Sequence, residues 1–456
     1  MSRVVVIGGG IAGLATAYSL RRSGADVVVL EADDRPGGKI RSVEVDGLDL
    51  EAGPDSIVAR KPWGVELCRE LGLGDELVPP ATSRAFVWTD RGLVSFPQSA
   101  FGVAADVREL LAWRGLSLRG KLRAGGDLLI PKRREDSDES IGSLVRRRLG
   151  DEVAAMLVEP LLGGLHAGDV DRLSLLATFP ELAAWERDFG SLIRGARAAL
   201  RRASGEPRSP MFLRPRGGVS HLVDALVDSI GRDRIRTGVA ASALRAEGAG
   251  FAVDSFAADA VVVATPAFAA ATLLGTVAPA AGSRLRAIPY ASTAVALGVY
   301  GPGSAARLPE AAGIVVPRGK AAMTAVTFVS GKWPEERYGD RAVVRCFVGG
   351  AGMEDLLGAA DEEILEAVFR QLAAVVGLPD RPEAARLVRW EAAMPQYEVG
   401  HLDRVRAARE ALLPGIFLVG SAYDGVGIAD CVRGAGEAAE RVLEHLSGSR
   451  EQETVR

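Results

Sequence analysis

Residues 3–31 constrain this chain more tightly than any other stretch. Arg3–Ile7 (Arg-Val-Val-Val-Ile) is a β-branched run, the pattern of a strand buried on both faces of a parallel sheet. Gly8-x-Gly10-x-x-Gly13 follows directly. Apolar residues at Ile11, Leu14, Ala15 and Tyr18 then predict a helix from Ile11 to Ser23, ended by Gly24. Asp26–Leu30 is a second strand, which completes a βαβ unit. In such a unit the first glycine permits a tight turn. The second lets backbone approach a pyrophosphate, and the third lets helix and strand pack closely. The helix start offers free N–H groups and a positive dipole end to phosphates. Glu31 closes the second strand, where a carboxylate accepts hydrogen bonds from ribose hydroxyls. Ala32-Asp33-Asp34 follow it rather than an arginine, so a 2′-phosphate is not expected. Gly8, Gly9, Gly10, Ile11, Ala12, Gly13, Glu31 and Ala32 are therefore the candidate dinucleotide contacts. A purely structural glycine turn is the alternative.

With 456 residues, two or three structural units are expected. The net charge of −4 gives no global field to recruit nucleic acid. Cys68, Cys346 and Cys431 are far apart and odd in number, which argues against a disulfide framework and fits a reducing cytoplasm. Four scattered histidines make no ligand spacing, so no metal is expected. Arg3 and the apolar run behind it mimic a signal peptide, but Gly8–Gly10 break the run and no clear cleavage site follows. Ala260–Gly282 is uncharged and long enough to span a bilayer. It is poor in large apolar residues and interrupted by Pro266 and Pro279, so it reads as a strand (Val261–Ala264), a turn and a short helix.

Beyond the first unit, Ser42–Val45, the Asp46-Gly47 turn and Leu48–Leu50 read as a hairpin. From about Val107 to Arg202 the pattern is mostly helical, with a charged break at Arg133–Glu139. Short strands return over Arg236–Ala264, and strands and helices alternate from about Ala267 to Gln396. Ile416–Gly420 is a buried strand, a glycine-rich turn follows, and a helix is expected from about Ala429 to Leu446. Ser447–Arg456 is polar and expected to fray.

Three further motifs carry a resemblance. Arg35-Pro36-Gly37-Gly38-Lys39 resembles the second signature of the flavin amine oxidase superfamily, which includes phytoene desaturases and protoporphyrinogen oxidases. Val419-Gly420-Ser421-Ala422-Tyr423-Asp424-Gly425-Val426-Gly427-Ile428-Ala429-Asp430 resembles its closing flavin motif. Gly53-Pro54-Asp55-Ser56 with Arg60-Lys61, and the run Glu159–Asp169 with Leu173-Ser174, are similar to the Gram-positive type of the protoporphyrinogen/coproporphyrinogen oxidase family. Amine oxidases usually carry cage aromatics before the last helix, where this chain has Gly425 and Val426. Two positions depart from the porphyrinogen pattern. His166 stands where the family often has Tyr, and Ala429 where it often has Pro. His166 is read as structural by default.

The resemblance implies an α/β fold, flavin amine oxidase-like. A Rossmann-like FAD-binding domain would comprise 1–83, 211–268 and 398–456. A discontinuous substrate domain would comprise 84–100, 188–210 and 269–397. A helical insertion, 101–187, corresponds to the family's membrane-associating region; here it is interrupted by charges, so only peripheral contact is expected. FAD is the implied cofactor. Gly38 and Lys39 would lie along it, with Gly53, Pro54, Asp55 and Ser56 approaching the isoalloxazine. Val239 would meet adenine, with Trp390 a weaker contact, and Val426, Gly427 and Ile428 would face the ring. Lys61, with Arg60, would orient an anionic substrate, and Arg214 and Arg216 are further candidates for carboxylates. The implied reaction is oxidation of coproporphyrinogen III to coproporphyrin III in haem synthesis, with dioxygen as acceptor and peroxide as product. Protoporphyrinogen IX is the alternative substrate. An amine oxidase, a carotenoid desaturase and a non-catalytic carrier resembling GDP dissociation inhibitors are the rivals. Oligomeric state stays open.

Overall fold

A computed structural model describes residues 2–133, 135, 137–205 and 210–454. Arg134 and Asp136 of the expected charged break, and the last two residues of the tail, lie outside that set. The first βαβ unit forms as its pattern dictates, with strand Arg3–Ile7, helix Ile11–Arg22 and strand Asp26–Leu30. It seeds a five-stranded sheet in the order Ile235–Arg236, Asp26–Leu30, Arg3–Ile7, Ala260–Val263, Ile416–Leu418, all parallel. Three distant parts of the chain thus share one sheet.

Helices cover both faces, which is why the central strands are apolar throughout. Val4 and Val6 join one apolar cluster with residues of helices Ile11–Arg22, Ser220–Ile230 and Ile428–Thr454. Val5 and Ile7 join the opposite cluster, with residues of Ala267–Leu273, Pro279–Arg286 and His401–Glu410. The uncharged stretch Ala260–Gly282 contributes a central strand and then helices of this layer. Among the described residues no helix is long and apolar enough to cross a membrane.

The second sheet has seven strands in the order Ala384–Pro395, Tyr290–Val299, Val343–Gly349, Ala325–Phe328, Gly313–Val315, Ala85–Thr89, Gly92–Ser95. Its pairs are antiparallel except Gly313–Val315 with Ala85–Thr89. The hairpin Ser42–Val45/Leu48–Glu51 turns at Asp46 (φ 52°) and Gly47 (φ 71°), as a two-residue turn with both central φ positive requires. Its Val43, Val45, Leu48 and Leu50 pack with Val295, Leu297 and Val343 of the large sheet, so the hairpin bridges the two sheets.

A helical region lies between Val107 and Gly205. Its apolar core includes Leu192, Ile193 and Ala196. Arg148 and Asp127, both fully buried, pair at 2.6 Å at its centre. Asp127 also accepts from the Ser191 hydroxyl at 2.5 Å and Ile193 N–H at 2.9 Å, so the charges are compensated in place. Ala154–Gly163 is a π-helix containing Pro160, which cannot donate a ladder bond. The closing helix runs from Ile428 to Thr454, so the tail expected to fray from Ser447 is helical to within two residues of the end. Its apolar face from Ala435 to Leu446 packs on the first sheet layer, and the backbone ladder continues beyond it.

Candidate active site

The glycine turn is built by close backbone approach. A Cβ on Gly13 would lie 2.0 Å from the Gly8 carbonyl oxygen, and one on Gly8 (φ 106°) 2.9 Å from that of Ala264. Side chains there would force helix and strand apart. Gly9 N–H donates to Glu31 Oε2 at 2.6 Å and Asp33 N–H to Oε1 at 2.9 Å. Glu31 is thereby fixed, largely buried, at the strand end. Gly10 is extended and no side chain caps the helix it opens, so the first-turn N–H groups, at Ile11, Ala12 and Gly13, are offered to a ligand.

Gly37 N–H donates to Gly9 O at 2.8 Å, and a Cβ on Gly38 would stand 3.2 Å from Gly10 Cα. Residues 35–39 therefore lie on the glycine turn. The Arg35 guanidinium holds them in shape by donating to Pro36 O, Gly38 O and Ile40 O. Val239 N–H donates to Glu31 O at 2.8 Å, which places Val239 beside Glu31 and Ala32.

Lys39 brings the two ends of the chain together. Its ammonium donates to Ala393 O at 2.7 Å and Ser421 Oγ at 3.2 Å. Burial pushes its pKa down. Among the described residues no carboxylate pairs with it, so a buried cation faces only neutral partners. Gly53 is pinned from the same side, since a Cβ there would meet Lys39 O at 1.8 Å. Trp390, on the edge strand of the large sheet, donates Nε1–H to Ala52 O at 2.9 Å. Pro54 and Ser56 are part-buried beside it. The Asp55 carboxylate turns toward Lys332 and Trp333, so this stretch presents mainly backbone to any ring.

The closing motif is held by side chains the sequence reading missed. Tyr397 hydroxyl donates to Ser421 O at 2.6 Å and accepts from Gly425 N–H at 3.0 Å. Asp424 accepts from Gly420 N–H at 3.0 Å and from Arg409. The turn Gly420–Gly425 is thus tied on both sides, with Val426 and Gly427 part-buried at the start of the last helix and Ile428 buried. Tyr397 follows a strand with no motif around it, so nothing in the sequence marked it. Lys61, exposed, lies at this helix start and donates to both Asp430 oxygens at 2.7 Å. Arg60 is exposed next to it, and Arg216 is exposed elsewhere. Arg214 does not serve as an open cation. It is buried, pairs with Glu335 and lies 4.5 Å over the Trp333 ring. Its strand Phe212–Pro215 runs between two others.

These features fit a flavin dinucleotide: an uncapped helix start, glycines whose Cβ atoms would collide, a fixed carboxylate at a strand end, and a buried ammonium lacking an anion. Residues 11–443 match the family model of flavin containing amine oxidoreductases. The chain belongs to that family. Its cofactor is FAD. The Coproporphyrinogen III oxidase of Bacillus subtilis is 35% identical over 464 aligned residues, covering 97% of this chain and 98% of that protein. That of Staphylococcus aureus is 31% identical, covering 97% and 99%. The crystal structure of an Exiguobacterium protein assigned as a protoporphyrinogen oxidase superposes with a TM-score of 0.86 at 34% identity, covering 98% and 99%.

In this member of the flavin containing amine oxidoreductases, His166 lies beside the closing motif. Its ring is 6.0 Å from that of Tyr397 and edge-on to Phe179 at 5.7 Å, and its Nδ1 is sealed without a partner. Burial pushes its pKa from 6.5 down to about 4, and the Lys61 charge acts in the same direction. Between those values the unfolded chain binds a proton that the folded chain refuses. Stability therefore falls as pH drops from 6.5 toward 4. The share of His166 is about 2 kcal/mol at pH 5, taking about 1.4 kcal/mol per unit. We expect His166→Tyr to shrink the drop in Tm between pH 7 and pH 5, measured calorimetrically. An unchanged drop would show that His166 titrates alike in both states.

Proposed function

We propose that this flavoprotein oxidises coproporphyrinogen III to coproporphyrin III, with dioxygen as final acceptor and peroxide as product. The observation that carries the reading is likeness over nearly the whole length to proteins named for that substrate. The site supports it: Gly425 and Val426 precede the last helix, where amine oxidases carry aromatics, and a lysine stands at the helix start.

FAD, when bound, would supply the hydride acceptor for three successive two-electron oxidations of the macrocycle, with dioxygen reoxidising it between rounds. The protein's contribution is binding and orientation. Gly8–Gly13 and the open helix start receive the pyrophosphate. Glu31 and Ala32 take the ribose, Val239 the adenine side, and Gly38 and Lys39 the length of the cofactor. Gly53–Ser56, Trp390 and Val426–Ile428 border the ring. The positive end of the last helix favours negative charge on the pyrimidine side. Lys61 has one donor beyond the two held by Asp430, and this one is available to a substrate propionate. On this reading the FAD-binding part comprises 1–83, 211–268 and 398–456, and the substrate lies between it and the seven-stranded sheet. Protoporphyrinogen IX is the second reading, favoured by the assignment of the Exiguobacterium structure.

A leucine-rich face of the helical region suits peripheral contact with an anionic membrane. Leu111, Leu118, Leu122 and Leu129 are 45–88% exposed, with Arg119 and Arg123 beside them.

Three measurements test these readings. In an anaerobic titration with coproporphyrinogen III, the oxidised flavin band bleaches and returns with porphyrin on admitting air. A band that stays unbleached rejects this substrate, and relative kcat/KM then decides for or against protoporphyrinogen IX. Lys61→Ala raises KM about tenfold or more, the value of one charged hydrogen bond, while the flavin stays bound. Unchanged kinetics would remove Lys61 from the site. The chain pellets with anionic vesicles at low salt, and Leu118→Glu with Leu122→Glu keeps it in the supernatant. Equal recovery of both in the supernatant would reject membrane contact.

A further inference from the structure

The loop that follows the bridging hairpin is gripped residue by residue from the seven-stranded sheet. Trp390 holds Ala52 O. Arg345, on strand Val343–Gly349 and only 2% exposed, donates to Gly53 O and places Nη1 3.4 Å from Asp55 Oδ2. Lys332 Nζ lies 3.1 and 2.9 Å from the two Asp55 oxygens, and Trp333 Nε1–H donates to the carboxylate at 3.2 Å. Ser56 hydroxyl adds a bond at 2.9 Å.

Asp55 is flanked by two cations. Two cations face one anion in a dry setting: the side chains of Lys332 and Asp55 are each 14% exposed and that of Arg345 2%. The next carboxylate, Glu51, is buried and accepts from Val219 N–H at 2.5 Å. On the opposite side Gly53 touches the backbone of Lys39, with no room for a Cβ. Residues 53–56 therefore sit between the cofactor loop and a buried cluster in which Lys332 and Arg345 face Asp55, with Glu51 near Arg345. Burial alone would push the Asp55 carboxyl up, but Lys332 and Arg345 outweigh it and hold it well below the usual carboxylate range. The acid is thus ionised throughout the working pH range.

We propose that Asp55, Lys332 and Arg345 form a buried triad that positions residues 53–56 against the flavin and sets its reduction potential. The inference rests on the reading that residues 53–56 border the ring. These are positioning residues, and they act by charge and by fixing backbone. Reduction adds negative charge to the flavin, which the two cations favour and Asp55 opposes.

The signs are opposite for the two kinds of variant. Asp55→Asn removes the opposing charge and raises the midpoint potential. Lys332→Met removes a favouring charge and lowers it. Each shift is expected to be about tenfold in the reduction equilibrium, about 30 mV for a two-electron couple. The experiment is an anaerobic reductive titration of each flavin-loaded protein against a reference dye, without porphyrinogen. Lost packing alone would not move the two variants in opposite directions. Shifts in the same direction, no shift with flavin retained, or loss of flavin from a variant with native circular dichroism each overturn the proposal. Should Asp55→Asn fail to fold because two cations are left buried, the lowered potential of Lys332→Met still decides it. Failure of the wild type to oxidise coproporphyrinogen would reject the functional reading and leave these potentials measurable.

Discussion

The structure depends on how closely the first helix approaches the first strand. With 2.0 Å between a hypothetical Gly13 Cβ and the Gly8 carbonyl oxygen, no other residue permits that approach. It lets the helix start point its free N–H groups past the end of the parallel sheet. It also brings Gly9 within 2.6 Å of Glu31 and Gly37 within 2.8 Å of Gly9. The same device recurs at Gly53 against Lys39. Gly13 meets Gly8, Gly37 meets Gly9 and Gly53 meets Lys39 backbone to backbone, while Gly9 meets the Glu31 carboxylate, so the groove beside this turn is shaped mainly by main chain. Main chain in regular elements moves little, and such a groove is largely preformed before any ligand arrives.

Buried charge is the second organising force. Isolated ions in an apolar interior are costly, and pairing with further hydrogen bonds is what makes them tolerable. Arg148 and Asp127 meet that condition inside the helical region, and Asp55, Lys332 and Arg345 meet it between the two sheets. Lys39 does not meet it with protein groups alone. The contrast separates charges compensated by an opposite charge from one that has only neutral hydrogen-bond partners.

Much of the fold was legible from local pattern. The strand–glycine–helix–strand–acid sequence, the Asp46-Gly47 hairpin and the closing strand and helix all appear where their residues place them. The close-packed glycine turn and the Glu31 carboxylate fixed beside it were legible too, because they come from one short stretch and their residue types are dictated by sterics. The state of the more distant charges was not. Arg214 looked like an open cation in an arginine-rich turn, yet it lies buried on Trp333. Lys61 pairs with Asp430, 369 positions away, a contact that no local pattern marks. Tyr397, Lys332 and Arg345 carry no motif, and their contacts with Ser421, Asp55 and Gly53 arise only in the folded chain.

The sequence by itself determined the parallel sheet, the glycine turn and the type of ligand it suits, since those follow from periodicity and from the absence of side chains at particular positions. Likeness of motifs at both ends and the middle added the family. Only the tertiary structure decided which charges are open and which are spent. That outcome depends on distances between residues hundreds of positions apart, and an ion pair or a buried hydrogen bond falls away over a few ångströms. Local pattern carries no information at that range.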